Sequence, residues 1–422
     1  MARAERRLLP AEPVSSLLPA VSVFPRDTGG AGLLAWAVGR ERLGAGGVAW
    51  AWLALALVGC AVATPQPSGA QPSETSSQRV TPRAAAPQAN VAAEQRLASV
   101  ALATPEKEAY CRWRGVEASQ VQAANAALVL TPAARAHAIA TQLPWGVPTP
   151  KPLQGQQQLR ALREFVLLYD AHLRAPLWTA YRLGPLDVLP AKRLEAFRTD
   201  PLIDVAAQAS CKDYVEPIFD MGHLVPRADM NRSVDAMLNS FLLSNMTPQH
   251  CATNRGPWQV LEGLVRDWAS SGTLLIYSGV LHDWQPPAGQ DPDETIPRMY
   301  SERLDERRVA VPSHLYKIIV RIDPEEAPGP AGPLPHAVLA WLIPNAPQVV
   351  PSADMEGYLT RALVSVEQLQ QLTRRRFFPK LMRASPATAN RMLRARPTSL
   401  WPVQGKWPRP LTARCNSDAA AY

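Results

Sequence analysis

Four apolar runs and one apolar stripe constrain this chain more than its bulk composition does. Leu177-Trp-Thr-Ala-Tyr-Arg-Leu183 alternates like a strand with one buried face. Residues 273–280 (Thr-Leu-Leu-Ile-Tyr-Ser-Gly-Val), 314–322 (His-Leu-Tyr-Lys-Ile-Ile-Val-Arg-Ile) and 336–343 read as further strands. The last two flank a Pro/Gly/acidic loop, 323–335, which predicts antiparallel neighbours. Between 256 and 269 the period changes. Trp258, Leu261, Val265 and Trp268 recur at +3, +4 and +3, the stripe of a helix facing a core. Ser365 to Thr373 reads as a second helix, and Leu159 to Tyr169 as helix or extended chain. Strands mixed with helices, without regular alternation or internal repeat, predict an α+β fold.

Composition decides where that fold lies. An apolar share of 47% over 422 residues is ample for a core, yet the 42 prolines are about twice the usual share and cluster outside the middle. Residues 61–105, rich in Ala, Pro, Ser, Gln and Thr, read as a flexible tether. Residues 106–159 form an Ala-rich extension with a helix or two over Val121–Ala140, and 160–385 is the folded domain. The Pro/Arg/Ala-rich tail, 386–422, shows no periodicity. A net charge of +8 concentrates polyanions such as nucleic acids or anionic lipids near the surface without selecting among them.

Residues 1–60 carry an address. The apolar run 47–59 is short for a bilayer span and fits a signal-peptide core, with Arg40 and Arg42 as its positive flank. Its end, Leu57-Val58-Gly59-Cys60, resembles the bacterial lipobox, in which the Cys is acylated and becomes the mature N-terminus. Translation from Val38 would give a signal peptide of ordinary length. The expectation is a lipid-anchored envelope protein facing the periplasm, with plain secretion as the alternative. Cys111, Cys211, Cys251 and Cys415 then remain, compatible with two disulfides in any of three pairings. None forms a CxxC, so a structural zinc site is not expected.

The chemistry-bearing residues lie between Asp220 and Arg266: Asp220-Met-Gly-His223, Asn245-Met-Thr-Pro-Gln249, Asn254-Arg-Gly-Pro-Trp258, Leu261-Glu262 and Arg266. Phosphodiester hydrolysis needs an activated water, positive charge on the phosphoryl oxygens and help for the leaving oxygen. A neutral His is a suitable base near pH 7, and a hard divalent cation takes oxygen ligands while keeping most of its waters. Glu262 and Arg266, four apart, share one helix face beside the apolar stripe. Alone, each has a plainer reading: a surface ion pair for Glu262 and Arg266, a helix cap for Asn254. Arg374-Arg-Arg376 reads as a solvated charge run, and His250 and Cys251 as structural.

Jointly, these segments resemble the DNA/RNA non-specific endonuclease family, the ββα-metal (His-Me finger) nucleases. That family's Asp-Arg-Gly-His is followed by Asn-x-x-Pro-Gln, Asn-x-Gly-x-Trp and Leu-Glu-x-x-x-Arg. Tyr169-Asp170, Pro176–Tyr181, Arg198-Thr-Asp-Pro201, Ile276-Tyr-Ser-Gly279, Val311–Lys317 and Val364–Glu367 with Leu372-Thr373 also fall in family order. The resemblance implies a ββα-metal core with a central antiparallel sheet and flanking helices. It implies hydrolysis of DNA and RNA with Mg²⁺ (Mn²⁺ as a substitute), leaving 5′-phosphate ends. His223 becomes the general base, Asn254 the metal ligand, Glu262 the residue ordering metal-bound water, Arg266 a phosphate contact and Asn245 a support. The family's upstream Arg falls nearest to Arg193, offset by two residues. One departure stands out: Met221 replaces the motif's Arg and removes a cation, for which Arg227 and Arg255 are the nearby candidates. It motivates a rival reading, a weakened or inactive nuclease-fold lipoprotein with a binding or structural role in the envelope.

Overall fold

A computed structural model of the chain describes residues 110–150, 156–283, 297–301, 306–322, 329 and 332–411. The expected anchor and tether, Cys60 included, lie outside the described residues. The strands are β1 (Tyr110–Arg114), β2 (Gln157–Ala161), β3 (Val166–Asp170), β4 (Ala175–Leu183), β5 (Glu195–Arg198), β6 (Phe219–His223) and β7 (Met246–His250). After these come β8 (Thr273–Leu281), β9 (Arg298–Ser301), β10 (Glu306–Ala310), β11 (His314–Ile322) and β12 (Pro335–Pro344). The longer helices are α1 (Ala118–Ala126), α2 (Pro132–Gln142), α3 (Val234–Asn239), α4 (Gln259–Ala269), α5 (Met355–Arg361), α6 (Val366–Thr373), α7 (Pro379–Ala384) and α8 (Pro386–Arg394).

Six strands form one antiparallel sheet in the order β12-β11-β8-β4-β3-β2. Every residue of β8 is buried, because the sheet is covered on both faces and successive side chains alternate between the two layers. Leu274 and Ile276 join Tyr181, Ile319 and Trp341 under the predicted stripe of Trp258, Leu261, Val265 and Trp268, to which α4 adds Leu264. Leu275 and Tyr277 join Trp178, Ile318 and Ala340 on the other face, under residues of α6, α7 and α8. A third apolar cluster, with Phe197, Phe241, Met246 and Val309, lies around β5, α3 and β6. Full burial explains why these strands read as nearly continuous apolar runs.

Three expectations are revised. The stretch Leu159–Tyr169 resolves into the β2–β3 hairpin, paired from Gln157↔Asp170 to Ala161↔Val166. A domain start at 160 therefore cuts through a strand. The extension before it belongs to the body: β1 pairs with β5, Val121 and Ala124 enter the third cluster, and Trp145 is fully buried under α7. Small Ala side chains on α1 and α2 hid this docking, since they give little apolar contrast around the helix. The tail beyond 385 also folds. Leu393 of α8 is core, and residues 397–411 run as a strap along α4. There Trp401 meets Trp268 edge-on at 5.2 Å, and the Gln404 and Gly405 amides donate to Asp267 at 2.8 and 2.7 Å.

Candidate active site

Strands β6 and β7 pair antiparallel from Phe219↔His250 to His223↔Met246, and the chain then turns directly into the helical segment ending in α4. His250 caps the first turn, its Nδ1 accepting from the Ala252 amide at 3.2 Å. Asn254 is therefore no cap. It opens a π-type turn, Asn254–Trp258, that kinks at Gly256 and contains Pro257. The kink frees Asn254 for other work: its Nδ2 donates to Asp220 Oδ2 at 2.9 Å. That bond uses the amide's donor and leaves Oδ1 as an acceptor. Arg255 closes the same carboxylate from the other side, Nε at 2.9 Å and Nη2 at 2.6 Å.

On β6, Asp220 and Gly222 face one way, while Phe219, Met221 and His223 face the other. The His223 ring stands edge-on to Phe241 at 5.0 Å and Phe197 at 5.7 Å, and its Nε2 is buried without a hydrogen-bond partner. Burial, reinforced by the guanidiniums of Arg193 and Arg227 and opposed by Glu195, pushes its pKa down to about 3. The imidazole is thus neutral at pH 7. Two brackets hold its backbone. Gln249 Nε2 donates to the His223 carbonyl at 3.2 Å, lying so close across the strand that a Cβ on Gly222 would fall 2.1 Å from Gln249 Cδ. Asn245, fully buried, accepts from the Val225 amide and donates to the Val225 carbonyl, both at 3.0 Å. It is a positioning residue for the chain leaving His223.

Glu262 and Arg266 do not pair with each other as a surface couple. Arg266 Nη1 donates to buried Asp229 at 2.9 Å, whose second oxygen accepts from Tyr181 Oη at 2.7 Å. Glu262 is raised by burial, against the lowering fields of Lys317 and Arg266. Lys317, buried on β11, donates to Ser278 Oγ at 2.6 Å and lies 4.4 Å from the centre of the Trp258 ring. Its own pKa is lowered by burial and supported by Glu262 and Asp229. Arg193 is 57% exposed, bonds Glu195 Oε1 at 2.5 Å and directs its field at His223. Met221 packs on the third apolar cluster.

Sequence reasoning thus missed Asp229, Tyr181 and Lys317 as partners, Asp220 as the orienter of Asn254 and Gln249 as the His223 bracket. Asp220, Asp229 and Gln249 stand inside the motif segment and were legible as polar residues. Tyr181 and Lys317 lie in strands whose pattern speaks only of burial. Among the described residues no group of three or more His, Cys, Asp or Glu is arranged to hold a metal. Asn254 Oδ1, an amide oxygen whose Nδ2 is held by Asp220, is the type of ligand a hard cation that retains its waters takes.

A β-hairpin whose first strand ends in His223, running directly into a helical segment opened by Asn254, is a ββα arrangement. The chain belongs to the DNA/RNA non-specific endonuclease family, whose model matches residues 148–384. It is 30% identical to the mitochondrial nuclease EXOG of Xenopus laevis over 243 residues, 55% of this chain and 61% of that protein. It is 29% identical to mitochondrial endonuclease G of Homo sapiens, covering 54% and 72%. Nuclease C1 of Cunninghamella echinulata var. echinulata is 27% identical, covering 51% and 81%. The chain spans about three fifths of the length of the EXOG proteins it matches.

Proposed function

We propose that this chain hydrolyses phosphodiester bonds in DNA and RNA without sequence specificity, with Mg²⁺ at Asn254 and His223 as general base. One observation carries the reading: Asn254, its amide held by Asp220, opens the helical segment that follows the hairpin whose first strand ends in a neutral, backbone-bracketed His223. A divalent cation there supplies positive charge to the phosphoryl and leaving oxygens. The protein supplies the rest. An arriving phosphate offsets the field of Arg193 and Arg227, which raises the proton affinity of His223 at the moment it is needed. His223 then takes a proton from the attacking water as the new P–O bond forms and the P–O3′ bond breaks, and the departing 3′ oxygen takes a proton from solvent, leaving a 5′-phosphate and a 3′-hydroxyl. Arg266, held by Asp229, places a fixed guanidinium for the transition-state charge.

Incubating plasmid and RNA with the protein and Mg²⁺ or Mn²⁺ tests this. Cleavage is expected in wild type and lost in His223→Ala; absence of cleavage, or cleavage unaffected by the change, overturns it. Met221, a half-buried apolar side chain where the family motif has a cation, supports a second reading of reduced turnover. A gain of activity in Met221→Arg would establish that reading.

We also infer an exported, lipid-anchored protein. Cys211 and Cys251 are disulfide-bonded, which supports an oxidising compartment. Labelled fatty acid incorporated into wild type and not into Cys60→Ala would bear this out, and equal labelling of both would refute it.

A further inference from the structure

We propose that Arg227 is a phosphate-binding residue that stands in for the cation missing at Met221, forming an anion site with Arg193 and Arg266. The inference rests on the nuclease reading and extends it. Chain geometry places Arg227 between the two halves of the site. Four residues after His223, past the Asn245 bracket, it opens a 3-10 turn, Arg227–Asp229. That turn ends in the carboxylate gripping Arg266.

The electrostatics of this position are unbalanced. Arg227 is half-buried, and its polar contact is the neutral amide of Asn231, 3.2 Å from Nη1. Both oxygens of Asp229 are taken, by Arg266 and Tyr181. Arg227 forms no ion pair with a carboxylate among the described residues. Its nearest charged company is cationic: after burial, Arg193 and Arg266 depress its affinity for its proton, with Asp229 and Glu195 opposing. Partly desolvating a guanidinium beside two others costs free energy that a bound anion would offset. A phosphodiester fits, because a guanidinium fork matches two phosphate oxygens.

Arg255, the other nearby candidate, is occupied: it holds Asp220 through two of its nitrogens. Met221 brings no charge to its strand, and its half-buried side chain packs on the third apolar cluster. The cation has therefore moved from the hairpin to the turn that follows it.

The test uses the full chain and a fluorescent duplex oligonucleotide in EDTA, so that binding is read without turnover. Arg227→Gln should weaken binding and reduce the log–log salt slope by about 0.9, the value of one phosphate contact. Arg383→Ala, an exposed arginine of α7 on the opposite layer, should leave the slope unchanged. Adding Met221→Arg to Arg227→Gln should restore the slope. Cleavage with Mg²⁺, measured in parallel, should fall by roughly 10²–10³ in Arg227→Gln. Should Arg227→Gln be poorly folded, Arg227→Lys keeps the charge and loses the fork: it should keep the slope and lose most of the cleavage rate. An unchanged slope in folded Arg227→Gln overturns the proposal even if wild type cleaves. A reduced slope with a wild type that does not cleave keeps the phosphate site and overturns the nuclease reading.

Discussion

His223 is enclosed by Phe197 and Phe241, and its neutrality follows from that burial and two arginine fields. A folded-state pKa depressed below the ordinary 6.5 contributes stability above about pH 6.5, and that contribution is lost as pH falls toward about 3. Thermal unfolding in EDTA across pH 3 to 8 should therefore fall more steeply on the acid side for wild type than for His223→Asn. The difference should be at most about 1.4 kcal/mol per pH unit; coincident curves would exclude the assignment. Asp220 should matter through Asn254. Asp220→Ala is expected to weaken Mg²⁺ by about 10–100-fold, read as the metal concentration for half-maximal cleavage, with an unchanged saturated salt slope for DNA. Lys317 is a charge partner without local signature. Lys317→Met should lower the urea midpoint by leaving half-buried Glu262 beside Asp229 without its opposing charge, and adding Glu262→Gln should recover part of the loss. The residues legible beforehand were those whose spacing is set by one strand or one helical turn. Those left unread, Tyr181 and Lys317, reach the site across the sheet, and chain spacing says nothing of what a fully buried strand faces.

At the scale of elements, the predicted strands and α4 matched because their periods are set by burial on a sheet or under a helix. The plainer reading of Asn254 as a helix cap does not hold, because His250 caps four residues earlier and the π turn absorbs Pro257. Gly222 shows how tightly the hairpin is specified. Gly222→Ala must displace Gln249 and with it the His223 carbonyl bracket. The expected outcome is loss of most cleavage with secondary structure retained by circular dichroism, and normal activity would show that the bracket is dispensable. The strap 397–411 escaped notice because it has no repeating pattern; its hold on α4 is made of single anchors, Trp401, Gln404 and Gly405. Asp267→Ala removes the acceptor of two of those amides and should speed proteolysis within the strap.

Across the whole molecule, one antiparallel sheet carries two cores, and the body runs from β1 to the strap rather than from residue 160. Cysteine count predicted disulfides but not their pairing, since pairing depends on which distant loops meet. Reductant should lower stability by about 2–5 kcal/mol per bridge opened, seen as a lower urea midpoint. An identical midpoint with and without reductant would show that the bridges at Cys211 and Cys251 add nothing. The sheet also does more than support the helix above it. Tyr181 from β4 shares Asp229 with Arg266, and Ser278 from β8 holds Lys317 of β11, whose charge acts on Glu262. The hairpin and helix are consequently no transplantable cassette. Grafted onto a foreign scaffold, they would bring His223, Asn254 and the Arg266–Asp229 pair along yet leave Asp229 without Tyr181 and Glu262 without Lys317, so that this catalytic module travels only with its floor.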